Sequence, residues 1–431
     1  MQYVFFLGSH PALSVAEVLN VLRRDGISYR IFFAHERYMV IDVAGVLPID
    51  FLRRLGGSER IARVVAAQPQ AWLAAEIAAA FIPEGIKFIF GLNVWPAYVK
   101  ALGSKPNAEH KPVESLARKL KAAWREQGYS ARYTLPKRAN STLNAAQVIF
   151  NRLHEPPNLD LHLLLAGDAY VLAQTLSVQD IQAYEQRDTA RPARDARVGM
   201  LPPKLAQIML NLVPTFHHWP PTVYDPFCGT GTVLQEGLLF GWQMIGSDAS
   251  PKMVRATKHN LAWLARHPLF AERLHAAGAD VFQHDARLPL FAAIGAVGDG
   301  EAPLHDNVDA IVTEPYLGTP LTRSLSAAKA TSAFAGIQQI YLSFFTQARK
   351  FLAPGGWVVF LLPAIKVSGQ SGYTLFPASF LDRVVSLGYS QKQPAPQGFE
   401  DNIYPSTERG TLLYSRPKAL VAREITLWEK R

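Results

Sequence analysis

Residues 223–232 constrain the fold more than any other stretch of this 431-residue chain. Their sequence is VYDPFCGTGT, in which Asp225 is followed by a turn containing Gly229 and Gly231 and then by an apolar helix. This order is typical of the first strand, loop and helix of a doubly wound α/β domain. Glycines let the backbone approach a ligand closely, and the start of the helix offers free N–H donors.

The remainder of the chain alternates apolar strands with helices, as a parallel sheet with crossover helices requires. Strands are predicted at 222–225, 243–247, 279–283, 308–312 and 356–362, and helices at 232–240, 251–265, 335–352 and 378–387. Acids stand at the ends of four of these strands: Asp225, Asp248, Asp285 and Glu314. One such acid is often only a helix cap. Four in series favour a ligand site at the carboxyl edge of the sheet.

The type of ligand follows from the charges of this loop. A dinucleotide would require a third glycine where Leu234 stands, and its pyrophosphate would be repelled by Asp225. The cationic cofactor S-adenosylmethionine fits better, with Asp225 facing its charged amino-acid end. Asp248 would accept from the ribose hydroxyls and Asp285 from the adenine amine. The other predicted cofactor contacts are in the loop: Phe227, Gly229, Thr230 and Gly231.

Glu314, Pro315 and Tyr316 are the predicted reaction centre. A carboxylate and a backbone carbonyl fixed by proline can accept both N–H bonds of a nucleobase amine and favour its attack on a methyl donor. Tyr316 would stack on a flipped-out base, and the small residues of 318–332 would form a lid. The alternative is a strand end with a structural proline and a buried tyrosine.

Composition excludes several classes of protein. The chain is 49% hydrophobic and 18% charged, as ordinary globular proteins are, and no apolar run reaches the ~18 residues of a membrane span. The single cysteine, Cys228, excludes an internal disulfide and a cysteine-based metal site, and no metal is expected. Cys228 is interpreted as a small filler of the loop, because no base for a nucleophile is visible. The start lacks the basic region of a signal peptide, so a cytoplasmic location is expected.

Three domains and a linker are predicted. The pattern βαββαβ over 1–68 indicates a ferredoxin-like module, in which Ser14 and Glu17 would form the capping box of the first helix. An α+β block follows at 69–180, with a strand at 97–102. Residues 181–200 are predicted to be an extended linker, and the catalytic domain would occupy 201–431 with a closing β-hairpin at its end.

The net charge of +9 is unevenly distributed. Between residues 100 and 138 ten Lys or Arg residues face three Glu, a net charge of +7. On the predicted helix 113–127 the basic residues lie on one face and the apolar residues on another. This face is either a solvated amphipathic surface or a surface that follows RNA phosphates. The candidate RNA-binding residues are Lys100, Arg118, Lys121, Arg125, Lys137 and Arg138.

Nearly the whole chain resembles the tRNA guanine-10 N2-methyltransferase family. The resemblance rests on the motifs at 6–8, 13–17, 143–148, 178–181, 187–188, 191–192, 199–206, 225–231 and 313–318. It implies that the 69–180 block is a THUMP domain, which grips the tRNA acceptor end in this family. It implies further that the Rossmann-like domain transfers a methyl group from S-adenosylmethionine to the N2 amine of a guanosine in tRNA, at position 10. Some members act with a small activating protein partner.

The chain departs from the family at the reaction centre. Related amino-methyltransferases have Asp/Asn-Pro-Pro-Tyr, whereas this chain has Glu-Pro-Tyr-Leu-Gly at 314–318. Aligning Glu314 with the acid puts Tyr316 at the second proline, and the extra methylene of glutamate moves the amine slightly. Two alternatives stay open: an N6-adenine or ribosomal-RNA guanine-N2 methyltransferase on the same scaffold, and an RNA-binding protein with an inactive catalytic domain.

Overall fold

The computed structural model describes residues 1–101, 110–136, 142–194, 200–274, 278–290, 308–394, 403–404 and 406–431. The chain forms two compact units. The first consists of Met1–Pro11, Gly26–Arg54 and Ser58–Ile181, and the second of Ala12–Asp25, Leu55–Gly57 and Gln182–Arg431.

The strands and helices have the following bounds. The strands are β1 (Gln2–Leu7), β2 (Tyr29–His35), β3 (Tyr38–Val43), β4 (Ser58–Gln68), β5 (Lys87–Val94), β6 (Ser130–Thr134), β7 (Leu159–Ala166), β8 (Ala169–Val178), β9 (Thr222–Asp225), β10 (Gln243–Asp248), β11 (Ala279–Gln283), β12 (Val308–Thr313), β13 (Leu352–Lys366), β14 (Tyr373–Thr374), β15 (Tyr389–Lys392), β16 (Leu412–Tyr414) and β17 (Val421–Lys430). The helices are α1 (Pro11–Arg24), α2 (Ala74–Ala80), α3 (Pro96–Ala101), α4 (His110–Glu126), α5 (Ala145–Phe150), α6 (Ile181–Glu185), α7 (Pro203–Asn211), α8 (Thr232–Leu239), α9 (Pro251–Arg266), α10 (Ala327–Ala348) and α11 (Ala378–Ser386).

The strands of the first unit pair in the order β2-β3-β1-β4-β8-β7-β5-β6 within the described residues. The four strands β2-β3-β1-β4 are antiparallel neighbours, as the predicted βαββαβ module requires. Because β4 also pairs with β8, strands from 1–68 and from 69–180 share one sheet. The boundary near residue 68 therefore stays a prediction.

Helix α4 covers one face of this sheet's second half. Leu120 and Trp124 are fully buried, and the indole ring of Trp124 makes edge contacts with Phe88 and Phe90, both at 4.9 Å between ring centroids. The apolar face predicted from the spacing of these residues is thus confirmed. It fixes α4 so that the opposite, basic face points to solvent.

The second unit is built on a sheet with the order β11-β10-β9-β12-β13-β17-β15 among the described residues. Strands β11 to β13 in this order are parallel, whereas β17 is antiparallel to both β13 and β15. The chain moves outward from β9 through β10 to β11 and then returns to the other side of β9 with β12. The order therefore reverses between β9 and β12, where open α/β sheets bind ligands.

The central parallel strands β9 and β12 are buried on both faces, which explains their nearly continuous apolar sequences. Tyr224 and Ile311 pack into one hydrophobic cluster with residues of α10 and α11. Their neighbours Val223 and Val312 pack into another cluster with residues of α7 and α8. This two-sided packing makes the carboxyl ends of β9 and β12 a rigid platform. The hairpin predicted at the end of the chain is confirmed by the antiparallel pairing of β16 with β17.

Two local predictions are wrong. The strand predicted at 97–102 is wrong for 97–101, which lie in α3; this helix begins at Pro96, whose fixed φ suits the first turn of a helix. Residue 102 lies outside the described residues. Ser14 and Glu17 do not begin a helix, because α1 already starts at Pro11. Instead the hydroxyl of Ser14 donates to the carbonyl oxygen of Gly57 at 2.6 Å, and the Glu17 carboxylate accepts from the amides of Gly56 and Gly57, both at 2.8 Å.

The extended conformation predicted for 181–200 is also wrong where the structure describes this segment. It contains α6 and a π-helical turn at Gln186–Ala190. Two arginines of this segment are buried: Arg187 Nε lies 2.6 Å from Glu236 Oε1, and Arg191 Nη1 donates to Thr232 Oγ1 at 2.7 Å. Both partners are on α8, so this segment packs on the helix that follows the glycine loop.

Candidate functional site

The glycine loop between β9 and α8 has the backbone that its sequence predicts. Gly229 has a φ of +53° and Gly231 a φ of +83°, a region that favours glycine. A Cβ atom on Gly231 would lie only 2.8 Å from Cγ2 of Thr257. Gly231 is therefore required both by its backbone conformation and by its close contact with α9.

Side chains of helix α9 fix the glycine loop through hydrogen bonds to its carbonyl oxygens. The hydroxyl of Thr257 donates to the carbonyl oxygen of Gly229, and the amide of Asn260 donates to that of Thr230, both at 2.8 Å. Both donor residues are fully buried. Neither residue was predicted from the sequence, because polar residues in an amphipathic helix give no sign of the loop that they contact.

Asp248 ends β10 beside this loop. Its Oδ2 accepts from the amide of Gly229 at 3.0 Å and its Oδ1 from the amide of Ser250 at 2.8 Å. Burial raises the pKa of Asp248, and the two amide donors oppose this effect. Since a carboxylate oxygen can accept more than one hydrogen bond, capacity remains for hydroxyl groups of a ligand.

Asp225 ends β9 and is buried. Thr313, the last residue of β12, donates its hydroxyl to Oδ1 at 2.6 Å, and the amide of Phe227 donates to the same atom at 3.2 Å. Burial and, to a smaller extent, the charges of Asp248 and Glu314 raise the pKa of Asp225 to about 7 against these two donors. The structure thus brings together three of the four predicted acids at the switch point.

Glu314 follows directly after β12. Its Oε1 accepts from Nε of Arg423 on β17 at 2.5 Å, and only 14% of the Glu314 side chain and 13% of the Arg423 side chain are exposed. Burial raises the pKa of Glu314, while Arg423 and Arg416 lower it. Arg423 was not predicted from the sequence, because 109 positions separate it from Glu314 and no motif links them.

The loop after Glu314 is fixed by a buried proline and by a hydrogen bond to its backbone. Pro315 is buried, and the carbonyl oxygen of Tyr316 accepts from the hydroxyl of the fully buried Tyr341 on α10 at 2.7 Å. The Tyr316 side chain itself is 47% exposed, which differs from the buried tyrosine of the structural alternative. The lid predicted at 318–332 overlaps α10, whose first turn is capped by the hydroxyl of Ser326.

The remaining predicted cofactor contacts differ in their surroundings. Asp285 follows β11, and its carboxylate accepts from Arg287, which lowers the pKa of Asp285. Phe227 is half-buried and packs edge-on against Phe344 at 5.7 Å. Cys228 is buried, which raises the pKa of its thiol and agrees with a filler role. The roles proposed for Asp285 and Phe227 stay predictions.

The candidate RNA-binding residues lie in the first unit. Arg118, Lys121 and Arg125 are exposed on α4, so the basic face expected from the sequence is present. Nothing is described for the side chain of Lys100, and Lys137 and Arg138 lie outside the described residues. An RNA-binding role for this face stays a prediction.

Two features are absent from the described residues. No group of three or more His, Cys, Asp or Glu residues there is arranged to hold a metal ion. Within the same residues, no helix combines the length and the apolar character needed to span a bilayer.

The chain is similar to known methyltransferases. Residues 191–368 match the model of the UPF0020 family, described as an RMKL-like methyltransferase domain. The chain is 26% identical over 356 residues to a protein named tRNA (guanine(10)-N2)-dimethyltransferase from Methanothermobacter thermautotrophicus. The aligned region covers 82% of this chain and 86% of that relative. A protein of the same name from Methanocaldococcus jannaschii is 27% identical over 164 residues, 38% of this chain and 41% of that relative.

The fold has a counterpart among solved structures. The crystal structure of TrmN from Thermus thermophilus superposes on this chain with a TM-score of 0.52 and 15% sequence identity, and the match covers 100% of each of the two chains. The Rossmann-like methyltransferase domain predicted from the sequence is confirmed by this match and by the family model. The resemblance to the tRNA guanine-10 N2-methyltransferases is confirmed by the two curated relatives.

Proposed function

We propose that this protein is an S-adenosylmethionine-dependent methyltransferase that modifies the N2 amine of guanosine 10 in tRNA. The observation that carries the proposal is the contact at the switch point between the buried Asp225 and Thr313, which places Glu314 beside a carboxylate suited to a cationic cofactor. The names of the two curated relatives support the choice of tRNA and of guanine N2.

The residues at the carboxyl edge of the sheet fit S-adenosylmethionine. When bound, this cofactor supplies a methyl group on a positively charged sulfur. Asp248 has acceptor capacity for the ribose hydroxyls, and its position at the end of the second strand suits that role. Asp225 would complement the positive charges of the amino-acid end, and Asp285 would accept from the adenine amine.

Glu314 would accept an N–H bond of the substrate amine, together with the carbonyl oxygen of Pro315. The exocyclic amine is a weak nucleophile because its lone pair is delocalised into the ring. Acceptors placed along both N–H bonds orient the lone pair, and the amine becomes more acidic as its new bond forms. Glu314 would then take the proton that the nitrogen loses.

Tyr316 and α4 would position the RNA. The exposed ring of Tyr316 can stack on a base taken out of its helix. Arg118, Lys121 and Arg125 on α4 present three positive charges that can contact phosphates. Phosphate contacts of this kind fix the register of the RNA without reading its sequence.

The test is methyl transfer from labelled S-adenosylmethionine to unmodified tRNA transcripts, followed by nucleoside analysis. We expect N2-methylguanosine from the wild type, none from a transcript with adenosine at position 10, and a loss of roughly 10²-fold or more in Glu314→Ala. Glu429→Ala is the matched control, since Glu429 forms a partly exposed ion pair with Lys392 on the same sheet and should leave the rate unchanged.

Each other outcome identifies an alternative. N6-methyladenosine would retain the cofactor and overturn the choice of base. Methylation of ribosomal RNA but not tRNA would overturn the substrate. Cofactor binding without transfer to any RNA would favour the inactive RNA-binding protein, for which the altered sequence at 314–318 is the motivating observation.

A further inference from the structure

The ion pair between Glu314 and Arg423 joins two distant parts of the second unit. Arg423 lies on β17, opposite Pro363 of β13, and its guanidinium also lies 5.9 Å from the ring centre of Tyr414. The 2.5 Å contact uses Nε of the arginine and Oε1 of the glutamate. The backbone of β17 is anchored by a long ladder of hydrogen bonds, so the guanidinium approaches Glu314 from a rigid element.

The charges around Glu314 are mixed. Arg423 and Arg416 attract its carboxylate, whereas Asp225 on β9 repels it. The hydroxyl of Tyr341 on α10 is uncharged at neutral pH, because burial and the charge of Glu314 raise its pKa. Without Arg423, a mostly buried carboxylate near another acid would be protonated over a wider pH range.

The geometry also explains how a glutamate can serve at this position. Glutamate has one more rotatable bond, so its carboxylate can occupy more positions and loses more entropy when it is held in one of them. A hydrogen bond from Arg423 to Oε1 selects one position and leaves Oε2 as an acceptor.

We propose that Arg423 is a positioning residue that holds the Glu314 carboxylate in one orientation and in its charged form, so that Oε2 receives the substrate amine. The inference rests on the proposed function. In the reaction the amine lone pair forms the new C–N bond, the methyl–sulfur bond breaks with its electrons left on sulfur, and the proton released from nitrogen goes to Oε2. Arg423 touches neither substrate nor reacting atoms and acts through Glu314.

The first measurement does not depend on activity. Protein labelled with carboxyl-¹³C glutamate is titrated by NMR, and the Glu314 signal is the one absent from Glu314→Gln. We expect Arg423→Gln to raise the titration midpoint of Glu314 by about 1 to 3 on the pH scale, and Arg423→Lys to keep it close to the wild type. An unchanged midpoint in Arg423→Gln overturns the inference, whether or not the protein methylates tRNA.

The second measurement is the pH profile of kcat at saturating cofactor and tRNA, which reports groups in the bound complex. We expect the acidic limb of Arg423→Gln to move to higher pH. At a fixed pH on that limb, activity should fall about tenfold for each whole pH step by which the limb moves. Arg423→Lys should restore the position of the limb. A lower plateau with an unmoved limb would show a merely structural role and overturn the inference.

Arg409→Gln is the matched control. Arg409 Nε lies 3.1 Å from Oε1 of Glu424, the neighbour of Arg423 on β17, and this pair is comparably buried with 15% and 0% of its side chains exposed. Its loss should lower stability like that of Arg423 but leave the acidic limb and the Glu314 titration unmoved. If Arg409→Gln shifts both as Arg423→Gln does, the effect belongs to the stability of β17 and the inference is wrong. A wild type that methylates no RNA while Glu314 still responds to Arg423 would refute the proposed function and leave the pairing intact.

Discussion

The affinity for S-adenosylmethionine should depend on pH through Asp225. Burial raises the pKa of this carboxyl to about 7 in the free protein, so most copies are protonated in mildly acidic solution. The cofactor is a cation, and only the ionised carboxylate complements it. Binding should therefore release a proton, and affinity should increase as the pH rises toward 7.

The size of the effect follows from that pKa. If the cofactor binds only the ionised form, the dissociation constant at pH 5.5 should be roughly 15-fold larger than at pH 7, or about 1.6 kcal/mol. Over this range the α-amino group of the cofactor stays mostly protonated, so the change comes from the protein. Asp225→Asn should bind weakly and lose this part of the pH dependence.

Isothermal titration calorimetry measures both quantities, since buffers with different ionisation enthalpies give the number of protons released. Thr313→Val tests the cause, because it removes the 2.6 Å donor to Asp225 and should move the rise in affinity to higher pH. Thr313→Ser keeps the hydroxyl and is its control. Equal affinity at pH 5.5 and 7 in the wild type, or the same slope in Asp225→Asn, would refute this reasoning.

Three further predictions concern RNA binding and stability. Charge reversal of Lys121 and Arg125 together should raise the KM for tRNA about tenfold or more at low salt and less at high salt, and it should leave the affinity for the cofactor unchanged. Equal effects on the KM values for tRNA and for the cofactor in steady-state assays would argue against an RNA-binding surface. Burial raises the pKa of Glu17 to about 7, above its value in the unfolded chain. The stabilisation from protonated Glu17 is therefore present below pH ~4.5 and is lost as the pH rises through 7, which lowers the free energy of unfolding by about 3 kcal/mol. Urea unfolding at pH 5 and 8 should show this loss in the wild type and not in Glu17→Gln. Gly231→Ala should destabilise more than Gly241→Ala in thermal unfolding, because both glycines have positive φ but only Gly231 has a side chain 2.8 Å from the added Cβ; equal losses would show that the contact is unimportant.

The sequence predicted the catalytic fold because its signals are local. An apolar run that ends in an acid marks a buried parallel strand and its carboxyl end, and the glycine turn marks the first loop. The carboxyl ends of such strands meet at one edge of the sheet, so the proximity of Asp225, Asp248 and Glu314 followed from their positions alone. The basic face of α4 was likewise predictable from helical spacing.

The sequence failed where a residue has a tertiary partner. Charge, proline and a lack of periodicity in 181–200 predicted an extended linker, but Arg187 is paired with Glu236 inside the second unit. Ser14 and Glu17 matched a capping box, but their partners include backbone groups about forty residues away at 56–57 and, for Glu17, the side-chain amide of Asn211. Local pattern cannot separate these cases, because the same polar atoms satisfy a helix end or a distant loop.

Only the tertiary structure determines the orientation and the charge state of the acidic side chains at the candidate site. Thr313 is one more residue of an apolar strand until β12 lies beside β9, and its hydroxyl then donates to Asp225. Arg423 is an ordinary charge in a terminal hairpin until β17 turns back antiparallel beside β13 and brings it to Glu314. The types of the acids and their edge of the sheet follow from the sequence, since the alternation of strands and helices makes the strands parallel. Their protonation and alignment depend on burial and on partners from other strands, which exist only after the sheet has formed.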